Sequence, residues 1–355
     1  MSVTIRSWID DAMRKEDAGF LASALLYPLS VVYGLGVKTR SLLYGLNILP
    51  SYGLSKKVVS VGNITVGGTG KTPVTIFLAM FFQKSGKKVA VLSRGYMGSA
   101  KGAAVVSDGK ELLLGPKEAG DEPYLIAMRL KGIPVVVSAD RVSGGKLLIE
   151  RFSPDVIILD DAFQHIRLRR DINIVLIDSA EGFGPGYLLP RGVLREPVSA
   201  LRRADFALVK GGPPKARVLE ALQKYSVPCM PFTYRLSLIY DIETGHEEPV
   251  SSLAGKKALP VCGIANPSSF FETLSSLGAV FESRIVYPDH HAYDEKDIAA
   301  IEKAAASSMV ITTEKDAFKL KGRIKGVKVY ALRIEAEMDP TQFDTYLSPV
   351  LRGVW

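Results

Sequence analysis

The residues best suited to chemistry follow a short β-branched run, Lys57–Val61. Gly62-Asn-Ile-Thr-Val-Gly67-Gly68-Thr69-Gly70-Lys71-Thr72-Pro73 stands between that run and a helical pattern. Glycines let successive backbone N–H groups turn toward one anion, and the helix that follows adds the positive end of its dipole. Thr65, Val66, Gly67, Gly68, Thr69, Gly70, Lys71 and Thr72 therefore read as a cradle for nucleotide phosphates. Lys71 would reach the β- and γ-phosphates, and the Thr72 hydroxyl would ligate Mg²⁺. The pattern G-x-x-x-x-G-K-[ST] asks for glycine at position 65, where this chain has Thr65.

A phosphate loop of this kind needs a carboxylate at the end of a neighbouring strand. Val156-Ile-Ile-Leu-Asp160-Asp161 supplies two. Adjacent acids at the end of a buried strand repel, and a cation beside them relieves the cost. Asp160 and Asp161 are thus expected to bind Mg²⁺, with an ion pair to Arg167 or Arg169 as the structural alternative. Asp121-Glu122 opens a predicted helix, where acids favour the dipole. Taken alone, Asp121 reads as a helix cap in preference to a catalytic group. Asp289-His290-His291 makes a weak metal signal, and a base or partner role is equally open.

The elements that must position these groups alternate. Strands are expected at Val89–Leu92, Ile133–Ser138, Val156–Leu159, Ile172–Ile177 and Phe206–Lys210. Helices are expected at Thr72–Lys84, Asp121–Leu130 and Arg141–Arg151. That order argues for a parallel sheet covered on both faces. The pattern changes between Gly211 and Gly255, where Met230–Ile242 suggests a connector with antiparallel strands. A second series then runs Ala258–Cys262, Ser268–Leu277, Phe281–Val286, Glu295–Ala306, Met309–Thr312 and Val327–Leu332. The expected organisation is a hydrophobic N-terminal segment (1–50), a phosphate-loop domain (51–215), a β-rich linker (216–255), a smaller α/β domain (256–335) and a C-terminal segment (336–355) that packs back on either domain.

Composition sets the outer bounds. With 47% hydrophobic and 23% charged residues in a chain of 355, disorder and fibrous repeats are excluded. Cys229 and Cys262 are too few for a disulfide framework or a zinc cluster and point to a reducing compartment. A net charge of +8 favours anionic partners. Ala18–Val37 carries no charge, which is the length of a bilayer span. Pro28, Gly34, Gly36 and several hydroxyls dilute it, and Leu21, Leu25, Pro28, Leu29 and Val32 follow helical spacing. A helix lying in the membrane interface, a span and a buried core helix remain open. Asp10, Asp11, Glu16 and Asp17 stand where a signal peptide wants basic residues.

Eight pieces in order resemble one family. They are Gly62–Pro73, Ser93-Arg-Gly-Tyr96, Gly120-Asp-Glu-Pro123, Asp140-Arg141, Asp160-Asp-Ala-Phe-Gln-His165, Pro190-Arg-Gly-Val-Leu-Arg-Glu-Pro197, Asp289-His290 and Thr313-Glu-Lys-Asp316. Together they resemble the tetraacyldisaccharide 4'-kinases of lipid A biosynthesis, from the N-terminal apolar segment to about residue 320. The resemblance implies a P-loop α/β/α domain, a smaller α/β/α domain and a β linker. It implies transfer of the γ-phosphate of ATP to the 4'-hydroxyl of a tetraacylated disaccharide 1-phosphate, at the cytoplasmic face of the inner membrane in Gram-negative bacteria. By motif it makes Lys71 and Thr72 the phosphate-loop pair, Asp160 and Asp161 the magnesium acids, Asp121 the base and His290, rather than His291, its partner from the second domain. That placement implies a site that closes when the domains approach.

Ala162 and Met97 stand where the family usually has glycine, and Thr65 is itself typical of it. Arg191, Arg195, Arg202 and Arg203 are expected to meet anionic lipid, or else to be ordinary solvated surface. Two rivals fare worse. A partitioning-type ATPase acting as a membrane-associated switch wants lysine just before Gly67-Gly68, where Val66 stands. A GTPase wants a residue between lysine and aspartate, yet Lys315 adjoins Asp316. Nucleic acid finds no recognisable module.

Overall fold

The computed structural model describes residues 13–14, 19–306 and 308–345. The acids Asp10, Asp11, Glu16 and Asp17, and the C-terminal segment beyond residue 345, lie outside these. Helix α1 (Phe20–Gly45) precedes the first strand, β1 (Lys57–Gly62), and helix α2 (Lys71–Lys84) leaves the phosphate loop. Strand β2 (Val89–Ser93) and the short edge strand β3 (Ala104–Ser107) follow, then α3 (Pro116–Ala119) and α4 (Asp121–Arg129). Strand β4 (Val135–Val137), helix α5 (Arg141–Phe152), β5 (Val156–Asp160), β6 (Ile172–Asp178) and β7 (Phe206–Lys210) complete the first half.

These strands pair in parallel, β7-β6-β1-β5-β2-β4, and β3 closes the edge antiparallel to β4. Parallel strands are buried on both faces, and alternate residues serve different layers. Val59 and Val61 turn toward α2 and α4, while Val58 turns toward α5. The register sets Val61 beside Asp160, so β1 and β5 deliver the phosphate loop and the acid pair to one end of the sheet. That is where ligands bind in open α/β sheets.

The second half adds α6 (Ala216–Lys224), β8 (Cys229–Asp241), β9 (Glu247–Pro249), β10 (Ala258–Cys262), α7 (Pro267–Ser276), β11 (Ile285–Val286), α8 (Glu295–Ala305), β12 (Met309–Thr313), α9 (Glu314–Leu320) and β13 (Val329–Glu337). The expected connector is one strand. Its first residues, Cys229–Phe232, pair in parallel with β7, and Thr233–Asp241 pair antiparallel with β13. The two halves therefore share one continuous sheet. The strand expected over Phe281–Val286 shrinks to β11, because Glu282 and Arg284 interrupt its apolar run. Phe343 is buried edge-on against Phe77 and Phe81 of α2, so the described part of the C-terminal segment packs on the first half.

Among the described residues no helix is long and apolar enough to cross a membrane. Helix α1 docks by a narrow stripe. Leu26 and Ser30 are buried, and a Cβ on Gly34 would lie 2.8 Å from the Leu188 side chain, so glycine permits the close approach. Leu25, Leu29, Val32, Leu35 and Leu42 face outward, each more than half exposed.

Candidate active site

The phosphate loop is held from both sides. Asn63 is buried after β1; its amide donates to the Thr69 hydroxyl at 2.9 Å and its oxygen accepts from Lys71 Nζ at 3.4 Å. The Val66 amide donates to the Val193 carbonyl at 2.7 Å, and Thr65 bridges to Leu194. Thr65 keeps ordinary backbone, so the glycine of the general pattern is not needed there. Gly70 is needed: its φ is +83°, and a Cβ would strike the Tyr234 hydroxyl. Helix α2 begins at Lys71, one residue earlier than expected, and buries Thr72.

Asp160 and Asp161 are neighbours in sequence with different surroundings. Asp160 is buried, and accepts from Thr75 Oγ1 at 3.1 Å and Ser93 Oγ at 3.0 Å. Burial, with Glu122 and Asp161 close by, pushes its carboxyl up to about 6. Asp161 has φ +46°, in the left-handed region. It lies 3.7 Å from Lys71 Nζ and accepts from Arg195 Nη1 at 2.9 and 3.1 Å. Burial opposes its ionisation, but Lys71 and Arg195 outweigh that and hold the carboxyl below its ordinary value. Arg167, one expected partner of the acids, pairs with Asp140 instead.

Asp121 opens α4, and the second half encloses it. His290 Nδ1 lies 2.9 Å from Asp121 Oδ2, and Lys319 Nζ lies 2.5 Å from the same oxygen. Burial would raise the Asp121 carboxyl; the hydrogen bonds from His290 and Lys319 overcome it and keep the group below its ordinary value. The bond to Asp121 raises His290 despite its burial. His290 sits in a left-handed turn, φ +61°, with its amide on the Gly263 carbonyl. His291 points elsewhere, with Nε2 2.7 Å from Asp297 Oδ2.

Helices α4 and α9 are joined along their length. Lys315 meets Glu122 at 2.6 Å, Phe318 packs on Tyr124 at 5.0 Å, and Arg129 clasps both Glu314 oxygens at 2.9 Å. Asp316 is not a base reader. It is buried, accepts from the Gly263 amide at 2.9 Å and takes the Thr313 hydroxyl at 2.8 Å. A cleft of about 290 Å³, lined by Arg94, Tyr96, Met97, Glu118 and Ser138 among others, opens next to the Gly120-Asp121 turn. Met97 adopts φ +60°, which accounts for the glycine usual at that place. Ala162 is buried with ordinary backbone and loses nothing by its methyl.

Four contacts escaped the sequence. Arg195 and Arg203 were expected at lipid or in solvent, but Arg195 braces Asp161 and Arg203 pairs with buried Glu196 at 2.5 Å. Arg191 is buried over the Tyr187 ring. Lys319 was not singled out. Its signal was available, because Thr313-x-x-Asp316 is a helix-capping pattern that places Lys315 and Lys319 on one face.

A glycine-rich loop between strand and helix, a lysine and threonine opening that helix and an acid pair at the end of the adjacent strand mark a P-loop phosphotransferase. Comparison with known proteins gives the family. A family model described as tetraacyldisaccharide-1-P 4'-kinase matches residues 22–352. The tetraacyldisaccharide 4'-kinase of Pelobacter propionicus is 42% identical over 318 residues, 88% of each chain. That of Syntrophus aciditrophicus is 43% identical over 332 residues, 89% of this chain and 88% of its own. Among solved structures, LpxK from Aquifex aeolicus in complex with ATP superposes with a TM-score of 0.78 at 32% identity, covering 93% of this chain and 99% of that one. The chain belongs to the tetraacyldisaccharide 4'-kinase family.

Proposed function

We propose that this protein transfers the γ-phosphate of ATP to the 4'-hydroxyl of a tetraacylated disaccharide 1-phosphate, working at a membrane surface. The observation that carries the reading is Asp121, held ionised between His290 and Lys319 and away from the phosphate-loop strand. A sugar hydroxyl does not ionise at neutral pH, so its proton must leave as the new P–O bond forms. Asp121 Oδ2 is engaged by His290 and Lys319, which leaves Oδ1 to take that proton. The bond to ADP breaks as the bond to the sugar oxygen forms. Lys71 compensates the charge on the transferred group and on the departing ADP. The cleft beside Tyr96 and Arg94 is the entry for the acceptor sugar.

Asp160, Asp161 and Glu122 crowd negative charge beside the loop, and burial together with that charge pushes Asp160 up to about 6. Such an all-oxygen donor set suits a hard divalent cation. Thr72, Asp160 and Asp161 are the residues that would hold Mg²⁺. When bound, the ion would supply positive charge to the nucleotide phosphates. The contacts of His290 and Lys319 with Asp121 cross from the second half, so the base is complete only with the halves together. That arrangement excludes water from the phosphoryl group and suppresses idle hydrolysis.

Four acyl chains do not leave a bilayer readily, since each buried CH₂ is worth about 0.8 kcal/mol. The outward apolar face of α1 is suited to bring the enzyme to the lipid, at the cytoplasmic face of the inner membrane where ATP is available. The decisive experiment supplies γ-labelled ATP and the acylated disaccharide in mixed micelles. Label is expected in the lipid; label found only in free phosphate refutes the kinase reading.

A further inference from the structure

Helix α1 has a second face besides the apolar one, and that face reaches the nucleotide site. Ser30 Oγ donates to the Leu188 carbonyl at 2.6 Å, and Tyr33 Oη donates to the Arg195 carbonyl at 2.8 Å. About two turns further on, Arg40 Nη2 donates to the Gln164 carbonyl at 2.9 Å.

Both anchored segments serve the phosphate loop. The Arg195 amide donates to the Ile64 carbonyl at 2.8 Å, and the Arg195 side chain grips both oxygens of Asp161. Gln164 Nε2 donates to the Asn63 carbonyl at 2.7 Å, and Asn63 in turn holds Thr69 and Lys71. Each path from α1 to the loop therefore has one intervening residue.

We propose that Tyr33 and Arg40 are positioning residues for the ATP site. By fixing the carbonyls of Arg195 and Gln164, they hold Asp161 and the start of the phosphate loop in place. Helix α1 thus braces the nucleotide site from behind, and losing its inner contacts loosens the grip on nucleotide phosphates. This rests on the kinase reading for its purpose, but on the hydrogen bonds alone for its geometry. Burial and the nearby Glu196 raise the Tyr33 hydroxyl, so it stays a neutral donor.

The test compares the full chain with Tyr33→Phe, Arg40→Met, Arg40→Lys and the Tyr33→Phe/Arg40→Met double variant. Magnesium–ATP affinity is measured by equilibrium binding without lipid, beside the KM for the acylated disaccharide, the unfolding midpoint and partition onto phosphatidylcholine vesicles. A single net hydrogen bond is worth a factor of about 2 to 10. ATP affinity is expected to fall about threefold in each single variant and about tenfold in the double, with Arg40→Lys partly restored. Lipid KM and vesicle partition should hold. Unchanged ATP affinity in the double variant overturns the proposal. So does an equal loss of ATP affinity, lipid KM and midpoint with no restoration by lysine, since that describes general damage to the fold. Failure of the kinase reading would show separately, as wild-type label confined to free phosphate while the ATP-binding measurements remain readable.

Discussion

Lys319→Met removes the ammonium that lies 2.5 Å from Asp121 Oδ2, where both side chains are nearly buried. At an effective dielectric near 20, two unit charges at that distance attract by about 7 kcal/mol before desolvation. Removing one partner of a buried pair has a net cost of about 3–5 kcal/mol, because the other charge is left behind. Here His290 remains on the same oxygen, and a hydrogen bond to a charged group recovers about 1.5–3 kcal/mol of that. The remaining loss is about 2 kcal/mol, a fall of a few degrees in the unfolding midpoint. The chemical effect is larger. Lys319 helps hold the Asp121 carboxyl below its ordinary value, so the variant's Asp121 must titrate at higher pH. A pH series of kcat/KM for phosphate transfer reads this directly, since its acid limb reports the free enzyme's base. The limb is expected to move upward in Lys319→Met and to stay in Lys319→Arg, which keeps the charge. An unmoved limb in a folded Lys319→Met protein would refute either the role of Asp121 as base or the role of Lys319 in keeping it ionised.

Four further outcomes follow from the same geometry. Lys71→Met should lower kcat by about 10²–10³ with little change in the unfolding midpoint, as for loss of one electrostatic stabiliser; steady-state kinetics and calorimetry check it. Gly70→Ala meets both a left-handed backbone and the Tyr234 hydroxyl, so ATP binding should be lost and stability fall by about 1–3 kcal/mol. Tyr234→Phe should not rescue it, because the backbone strain remains. His290 is raised in the fold, so its contribution is fully present below its ordinary 6.5 and is lost as pH rises through the raised value. The gap in unfolding midpoint between wild type and His290→Gln should accordingly narrow from pH 6 toward pH 9. Replacing Leu25, Val32 and Leu35 together by aspartate should cut partition onto anionic vesicles by about tenfold or more while ATP affinity is kept, measured by co-sedimentation.

The parts of the site that were legible are those whose signal is local. Gly67–Thr72 announces itself because the loop's glycines, its lysine and its flanking elements are contiguous. The acid pair is visible because four apolar residues run straight into it. The Asp121–His290 contact joins residues 169 apart and was reached only through resemblance to a family. Asp121 alone reads as an ordinary helix cap, and nothing near it in sequence announces a partner. Sequence separation also hid Lys319, whose partner Asp121 lies in the other half, and Arg195, 34 residues from Asp161. The segment Met230–Ile242 is legible as β structure but its pairing is not, because β8 changes neighbours at Phe232 and its burial pattern follows two sheet environments rather than one period.

The four carboxylates of the site differ in where their neutralising charge comes from. Asp161 relies on Lys71 and Arg195, both in the first half, and keeps them whatever the second half does. Asp121 and Glu122 instead take Lys319 and Lys315 from α9, together with His290. Asp160 has hydroxyl donors in place of a formal cation and is the one pushed upward. Separating the halves would leave Asp121 and Glu122 without those three partners, beside a phosphate loop that attracts further negative charge. The Asp121 carboxyl is therefore held below its ordinary value by groups from the second half, and its charge in turn helps hold the halves together. Weakening either side of that relation weakens the other, so substitutions along α9 should register in the pH dependence of turnover as well as in stability.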